Sequence, residues 1–184
     1  MKLDSHNIQA IAERLQAGGL IYMPTDTIPG FVVSALQPNA VERIYELKQR
    51  DADKPPTIII GSTTQLQDLA ADTHAALERA HETHWPGPVS ILHPVSDNEY
   101  LHRGKESLAI RYTADPLLQE LLAITGPLAT SSANLQGEEP IHSHITAQER
   151  FGDKVDLYIE SDHSNNPPSR ILRVHDDGTE EQLR

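Results

Sequence analysis

No cysteine occurs in the 184 residues. That excludes disulfides, thiolate nucleophiles and cysteine–zinc sites, and it fits a reducing cytoplasm, the expected location. No apolar run approaches the ~20 residues a membrane span needs, so no membrane partner is expected. The N-terminus, MKLDSHNIQAIAERLQAGG, carries charges inside an amphipathic helix pattern and does not read as a secretory leader. Positive charge is scarce: 15 Lys and Arg stand against 27 Asp and Glu, a net charge of −12. Such a surface repels nucleic acid, so any RNA contact needs a local basic concavity. The common nucleotide and nucleophile motifs are missing too, with no Walker A loop, no GxGxxG and no GxSxG. The histidine pairs His81/His84 and His142/His144 lack HExxH spacing and a marked third ligand. They read as structural or solvent-exposed side chains, and no protein metal site is expected. No carboxylate pair stands out for acid–base work.

What is present is an alternation of short strands and helices. The length suits one α/β domain over 1–184. Ser5 is placed to cap a helix carrying Ile8, Ile11 and Leu15, stopped by Gly18-Gly19. Strands are expected at 20–23, 31–33, 57–60, 89–92, 108–112, 128–130 and 155–159. Helices are expected from Pro38 to Lys48, near 63–70, over 73–84, over 116–124 behind Asp115, and over 144–151. The stretches 96–106 and 161–168 read as loops. Segments 170–174 and 180–183 flank Asp177-Gly178, a hairpin signal. Strands alternate with helices early and cluster late, which implies a mixed parallel and antiparallel sheet covered by helices.

Cations and hydroxyls gather at the strand ends. Lys48, Arg50 and Lys54 fall where a helix gives way to strand 57–60, across Pro55-Pro56. Three cations in seven residues suit phosphate or carboxylate; they equally suit a solvated helix end facing its dipole. Thr25 and Thr27 follow the first strand. Ser107 and Arg111 bracket 108–112. Thr130, Ser131, Ser132 and Asn134 follow 128–130, and Ser169 opens the final hairpin. An arginine inside a buried strand pattern needs an anion, either a ligand carboxylate or an internal acid. Singly, the serines and threonines are ordinary turn and cap residues.

Five motifs in order carry a resemblance: Pro24-Thr25-Asp26-Thr27, Lys48-x-Arg50 with Lys54-Pro55, Trp85-Pro86-Gly87-Pro88, Leu108-Ala109-Ile110-Arg111, and Ser131-Ser132-Ala133-Asn134. Together they resemble the YrdC/TsaC family of L-threonylcarbamoyladenylate synthases. The resemblance runs from the first helix to the last hairpin and looks like the short form. It implies a YrdC-like twisted mixed sheet flanked by helices around a large concave cleft. It implies synthesis of threonylcarbamoyl-AMP and pyrophosphate from L-threonine, bicarbonate and ATP, a nucleotidyl transfer. Mg²⁺ would be held mainly by phosphates and water. The product would pass to a tRNA threonylcarbamoyl transferase complex, for adenosine 37 of ANN-reading tRNAs, with at most a weak tRNA contact by this chain. Matched by motif position, Thr27, Arg111, Thr130 and Ser169 would contact threonine. Lys48, Arg50, Lys54, Ser107, Ser132, Asn134 and Arg184 would contact ATP, with Lys48 and Arg50 central to the chemistry.

The chain departs from the pattern at four places. Asp51 replaces a proline, Ile59 stands where some members have a histidine, Gln136 replaces a serine, and Pro140 replaces a serine near the phosphates. Two other readings stand beside the synthase: a paralogue with different carbamoyl chemistry, and a module binding double-stranded RNA or tRNA.

Overall fold

The structure is a computed structural model that describes residues 1–160 and 166–184. Part of the loop expected at 161–168 thus lies outside the described residues. The strands are β1 (Ile21–Met23), β2 (Gly30–Ser34), β3 (Thr57–Ile60), β4 (Val89–Pro94), β5 (Ser107–Tyr112), β6 (Leu128–Ser132), β7 (Leu157–Tyr158), β8 (Arg170–Val174) and β9 (Glu180–Gln182). The helices are α1 (Ile8–Gln16), α2 (Pro38–Lys48), α3 (Ala75–His84), α4 (Glu99–His102), α5 (Pro116–Thr125) and α6 (His144–Phe151). Among the described residues the nine strands form one sheet, in the order β7-β1-β2-β6-β3-β5-β4-β8-β9. β1/β7, β3/β5 and β4/β8 run parallel, and the other neighbours run antiparallel. The expected mixed α/β sheet is the observed one.

Local sequence explains most boundaries. Pro38 opens α2, and Gln49 ends it in the left-handed region at φ 50°. The Asp115 carboxylate accepts from the Leu117 and Leu118 N–H groups and caps α5 ahead of Pro116. Four expectations need correction. Ser5 is not the cap of α1: the Asp4 carboxylate accepts from the His6 and Asn7 N–H groups, and that turn delays the helix to Ile8. The segment 63–69 is a 3-10 helix. A short helix, α4, interrupts the stretch expected as loop at 96–106. The strand expected at 155–159 shrinks to β7, because its partner β1 is only three residues long and pairs with Leu157 and Tyr158 alone.

Strand alternation divides the apolar residues between two faces. On one face Tyr22, Phe31, Ile58, Ile60, Ile91, Ile110 and Leu172 join a large core with α2, α3 and α6. On the other, Ile21, Met23, Val32, Ile59 and Leu128 pack under α1 and α5. That second core stops at β3. The residues of β4, β5 and β8 that point the same way include Ser90, Leu92, Ser107, Ala109, Arg111, Ile171 and Arg173, and none belongs to it. Among the described residues, half of the second face is therefore without a helical cover, and the polar residues gather there.

Candidate active site

A cavity of about 590 Å³ opens on this half-covered face. The sheet contributes Thr57, Arg111, Thr130, Ser131 and Ser132, with Thr57 opposite Thr130 and Arg111 opposite Ile59. The β1–β2 loop adds Thr25, Thr27 and Ile28, the end of α2 adds Arg50, and the segment after β6 adds Glu139, Pro140 and His142. The last hairpin adds Ser169 and Arg184. Gly30 also lines the cavity, and a Cβ there would lie 2.7 Å from Thr130 Oγ1 and 2.8 Å from the Ser131 carbonyl. Only glycine lets β2 approach β6 this closely.

Arg111 has an internal acid as partner and also faces the cavity. It is 3% exposed, lines the cavity, and donates through Nη2 to Asp26 Oδ1 at 2.8 Å. Burial pulls its guanidinium downward, and Asp26 pushes back. Asp26 Oδ2 and Arg111 Nε are both buried without a partner among the described residues. Arg50 donates to Ser131 Oγ at 2.9 Å and to the carbonyls of Lys54 and Pro55. Arg184 donates to the Ser169 carbonyl and hydroxyl, each at 3.0 Å, so the chain end is pinned. Burial lowers the Arg184 guanidinium first, and the charges of Arg111 and Arg50 lower it further. Three guanidiniums thus share a cavity whose one lining carboxylate, among the described residues, is Glu139. Such a concavity selects anions.

The structure brings together Thr27, Arg50, Arg111, Thr130, Ser132, Ser169 and Arg184. It does not bring the other four expected residues to this wall. Lys48 is 2% exposed and lies under the segment after β6. Its ammonium donates to the Ser132 carbonyl, to the Asn134 carbonyl at 2.6 Å and to Asn134 Oδ1 at 2.8 Å. Burial and then Arg50 bring it down to about 7. Three oxygens still surround Nζ, and only the protonated form can satisfy all of them. Asn134 is likewise turned inward, binding Lys48, the Ser132 hydroxyl and the Glu138 carbonyl. Lys54 is exposed and paired with Asp51 at 2.6 Å. Ser107 lines a second cavity of about 610 Å³, with Pro55, Leu92, Ala109, Ile171 and Leu183. By strand alternation that cavity lies on the same sheet face.

Sequence reasoning missed Asp26, Glu139 and His142. Asp26 reads as a turn residue between two threonines, yet the need of Arg111 for a buried acid was a usable signal. Nothing in the local sequence marks Glu139 or His142 as cavity residues. The four departures are placed clearly. Pro140 lines the cavity, and Ile59 is packed in the smaller core. Asp51 and Gln136 bond each other: the Asp51 N–H donates to Gln136 Oε1 at 2.7 Å, and Gln136 Nε2 donates to Asp51 Oδ2 at 2.6 Å. A proline at 51 has no N–H to give. Among the described residues no group of three His, Cys, Asp or Glu could hold a metal ion, and no helix is long and apolar enough to cross a membrane.

The profile of the Sua5/YciO/YrdC family, described as telomere recombination, matches residues 13–184. A threonylcarbamoyl-AMP synthase of Vibrio campbellii is 33% identical over 172 residues, spanning 90% of this chain and 92% of that protein. The structure of Pyrococcus abyssi Sua5 complexed with L-threonine superposes with a TM-score of 0.88 at 29% identity, covering 98% of this chain and 54% of that one. Escherichia coli YciO shares the fold, with a TM-score of 0.85 at 22% identity over 98% of this chain and 89% of its own. With the profile spanning all nine described strands and both cavities, this chain belongs to the Sua5/YciO/YrdC family.

Proposed function

We propose that this protein is an L-threonylcarbamoyladenylate synthase, a nucleotidyltransferase that joins L-threonine, bicarbonate and ATP with release of pyrophosphate. The observation that carries it is the trio Arg50, Arg111 and Arg184 around one cavity of an otherwise acidic protein. The name of the Vibrio relative and the threonine complex of the Pyrococcus protein support the same substrate class. The threonine amine and bicarbonate first form an N-carboxylate with loss of water; a carbamate oxygen then attacks the α-phosphorus, and the α–β bridging oxygen leaves with pyrophosphate. The chemistry needs positioning and cancelled charge rather than a protein nucleophile. Arg111, Thr27, Thr130 and Ser169 hold threonine, while Arg50, Ser132 and Arg184 meet the phosphates. Lys48 and Asn134 act one layer behind, by holding the segment that carries Ser132. The second cavity, with its apolar walls and Ser107, suits the adenine end of ATP, near Lys54. Glu139 alone is no cage for Mg²⁺, so the ion would arrive on the ATP phosphates with its waters. The product goes to a tRNA threonylcarbamoyl transferase complex.

The test is pyrophosphate release from ATP and bicarbonate, with and without L-threonine. Threonine-dependent release is expected. Release indifferent to threonine would favour another carbamoyl chemistry, and RNA binding with no release at all would favour the nucleic-acid module.

A further inference from the structure

Behind the cavity wall lies a hydroxyl that the chemistry above does not use. Ser90 sits on β4, opposite Ile171 of β8, and is fully buried. Its side chain makes one hydrogen bond among the described residues, to Ser169 Oγ at 3.0 Å. Ser169 is 3% exposed, lines the cavity, and accepts from Arg184 Nη2 at 3.0 Å.

The direction of each proton follows from counting. A buried O–H that donates to nothing is costly. Among the described residues Ser90 has no acceptor other than Ser169 Oγ, so Ser90 is the donor. Arg184 is a donor by necessity, since a guanidinium has no acceptor. Ser169 Oγ therefore accepts two hydrogen bonds, and both its lone pairs are taken. Its single O–H can point neither to Ser90 nor to Arg184, and the remaining direction is the cavity.

We propose that Ser90 is a positioning residue whose buried hydroxyl turns the Ser169 O–H into the cavity, so that Ser169 can only donate to a bound ligand. The ligand group beside Ser169 is then a hydrogen-bond acceptor, which the threonine reading identifies with the carboxylate of the amino acid, and not an ammonium. This rests on the reading of the cavity as a threonine site. It adds the polarity of one wall and the residue that sets it. Without Ser90 the Ser169 rotor regains a second orientation, and the donor is no longer fixed before the ligand arrives.

Two measurements on the full chain test it. Neutron diffraction from deuterium-exchanged crystals reads the protons directly: the Ser90 deuteron should lie between the two hydroxyl oxygens and the Ser169 deuteron should face the cavity. A Ser169 deuteron aimed at Ser90 overturns the proposal whatever the ligand is. Calorimetry with L-threonine, with L-threoninol (which lacks the carboxylate) and with ATP reads the consequence. Ser90→Ala should raise the Kd for L-threonine about twofold, since only one of two Ser169 orientations then serves the ligand, narrow the preference over L-threoninol, and leave the Kd for ATP unchanged. Ser90→Thr, which keeps the hydroxyl, should restore threonine binding. Unchanged threonine affinity in Ser90→Ala overturns the proposal, and so does an equal loss for threonine and ATP. Wild-type protein that binds no threonine sinks the proposed function instead, and the neutron result then decides Ser90 alone.

Discussion

Asp26 and Arg111 form a pair in which each partner keeps one buried polar atom unmatched. An arginine this deep needs a counter-charge, and the carboxylate of Asp26 is the nearest one. Asp26→Asn keeps an oxygen for the hydrogen bond and removes the charge. The expected cost is about 2 kcal/mol of stability, since breaking a buried pair outright costs roughly 3–5 kcal/mol. The threonine carboxylate can supply the missing charge, so L-threonine should raise the Tm of this variant more than that of the wild type. Equal shifts in a thermal melt would show that Asp26 is not what balances Arg111. Arg50 offers a second test at this scale. Its guanidinium lines the cavity while its donors tie Ser131 to the α2–β3 junction. Arg50→Ala should lower kcat/KM for ATP roughly ten- to a hundredfold, the loss of one charge-assisted contact. Pyrophosphate release at the wild-type rate would remove Arg50 from the site. Lys48 shows what sequence cannot say about a residue. Its place in the Lys-x-Arg pair was legible, but its depth was not, because one turn of helix separates a solvated lysine from one under a loop.

Helices and strands were read from periodicity, and most lie where the pattern put them. The misses are elements set by partners rather than by their own residues: β7 is cut to the length of β1, and α1 begins where the Asp4 turn releases it. The bond between Asp51 and Gln136 is a further case, since two departures from the family pattern turn out to be one device. It ties the end of α2 to the segment after β6. Asp51→Ala and Gln136→Ala should each lower the Tm slightly, and because both remove the Gln136 Nε2–Asp51 Oδ2 bond the double variant should fall by less than the sum of the two. Additive losses would mean the two act separately. A second inter-element contact carries a pH dependence. His81 on α3 and His93 on β4 meet through their Nε2 atoms at 2.8 Å, stacked beside Trp85. His93 Nδ1 lies 3.1 Å from the Ile91 carbonyl and donates to it, so its Nε2 accepts from His81 Nε2 and the contact between the rings holds a single shared proton. Burial, followed by His81, holds His93 down at about 4, and burial lowers His81 as well. The unfolded chain binds these protons near 6.5 while the folded one refuses them. Stability present above 6.5 is therefore lost as pH falls toward 4, by roughly 3 kcal/mol for His93. Urea unfolding at pH 7 and pH 5 should show the drop, and His93→Gln should flatten it. A pH-independent midpoint in the wild type would contradict the shared proton.

At the scale of the whole molecule, a net charge of −12 surrounds a cationic cavity. The outer surface repels ATP and the cavity attracts it, so the balance responds to salt. KM for ATP should rise several-fold between about 0.05 and 0.5 M NaCl, as the guanidiniums are screened. A KM insensitive to salt would mean that apolar contacts dominate nucleotide binding. The charge imbalance and the mixed sheet were legible in composition and pattern, and so were seven of the cavity residues, through ordered motifs. The two-sided division of the sheet was not, because it depends on which face α1 and α5 choose and where they stop. That division has a consequence for how the protein tolerates change. The cavity takes Arg111 from β5 while the opposite face takes Ile110 into the core. Parity along the strand assigns them. A single-residue deletion inside Ser107–Tyr112 would exchange the two roles, sending a guanidinium into the hydrocarbon and an isoleucine into the cavity. Lengthening the rim at 136–142 by one residue moves no strand. Changes of equal size in the gene should therefore be survivable at the rim and ruinous in the floor.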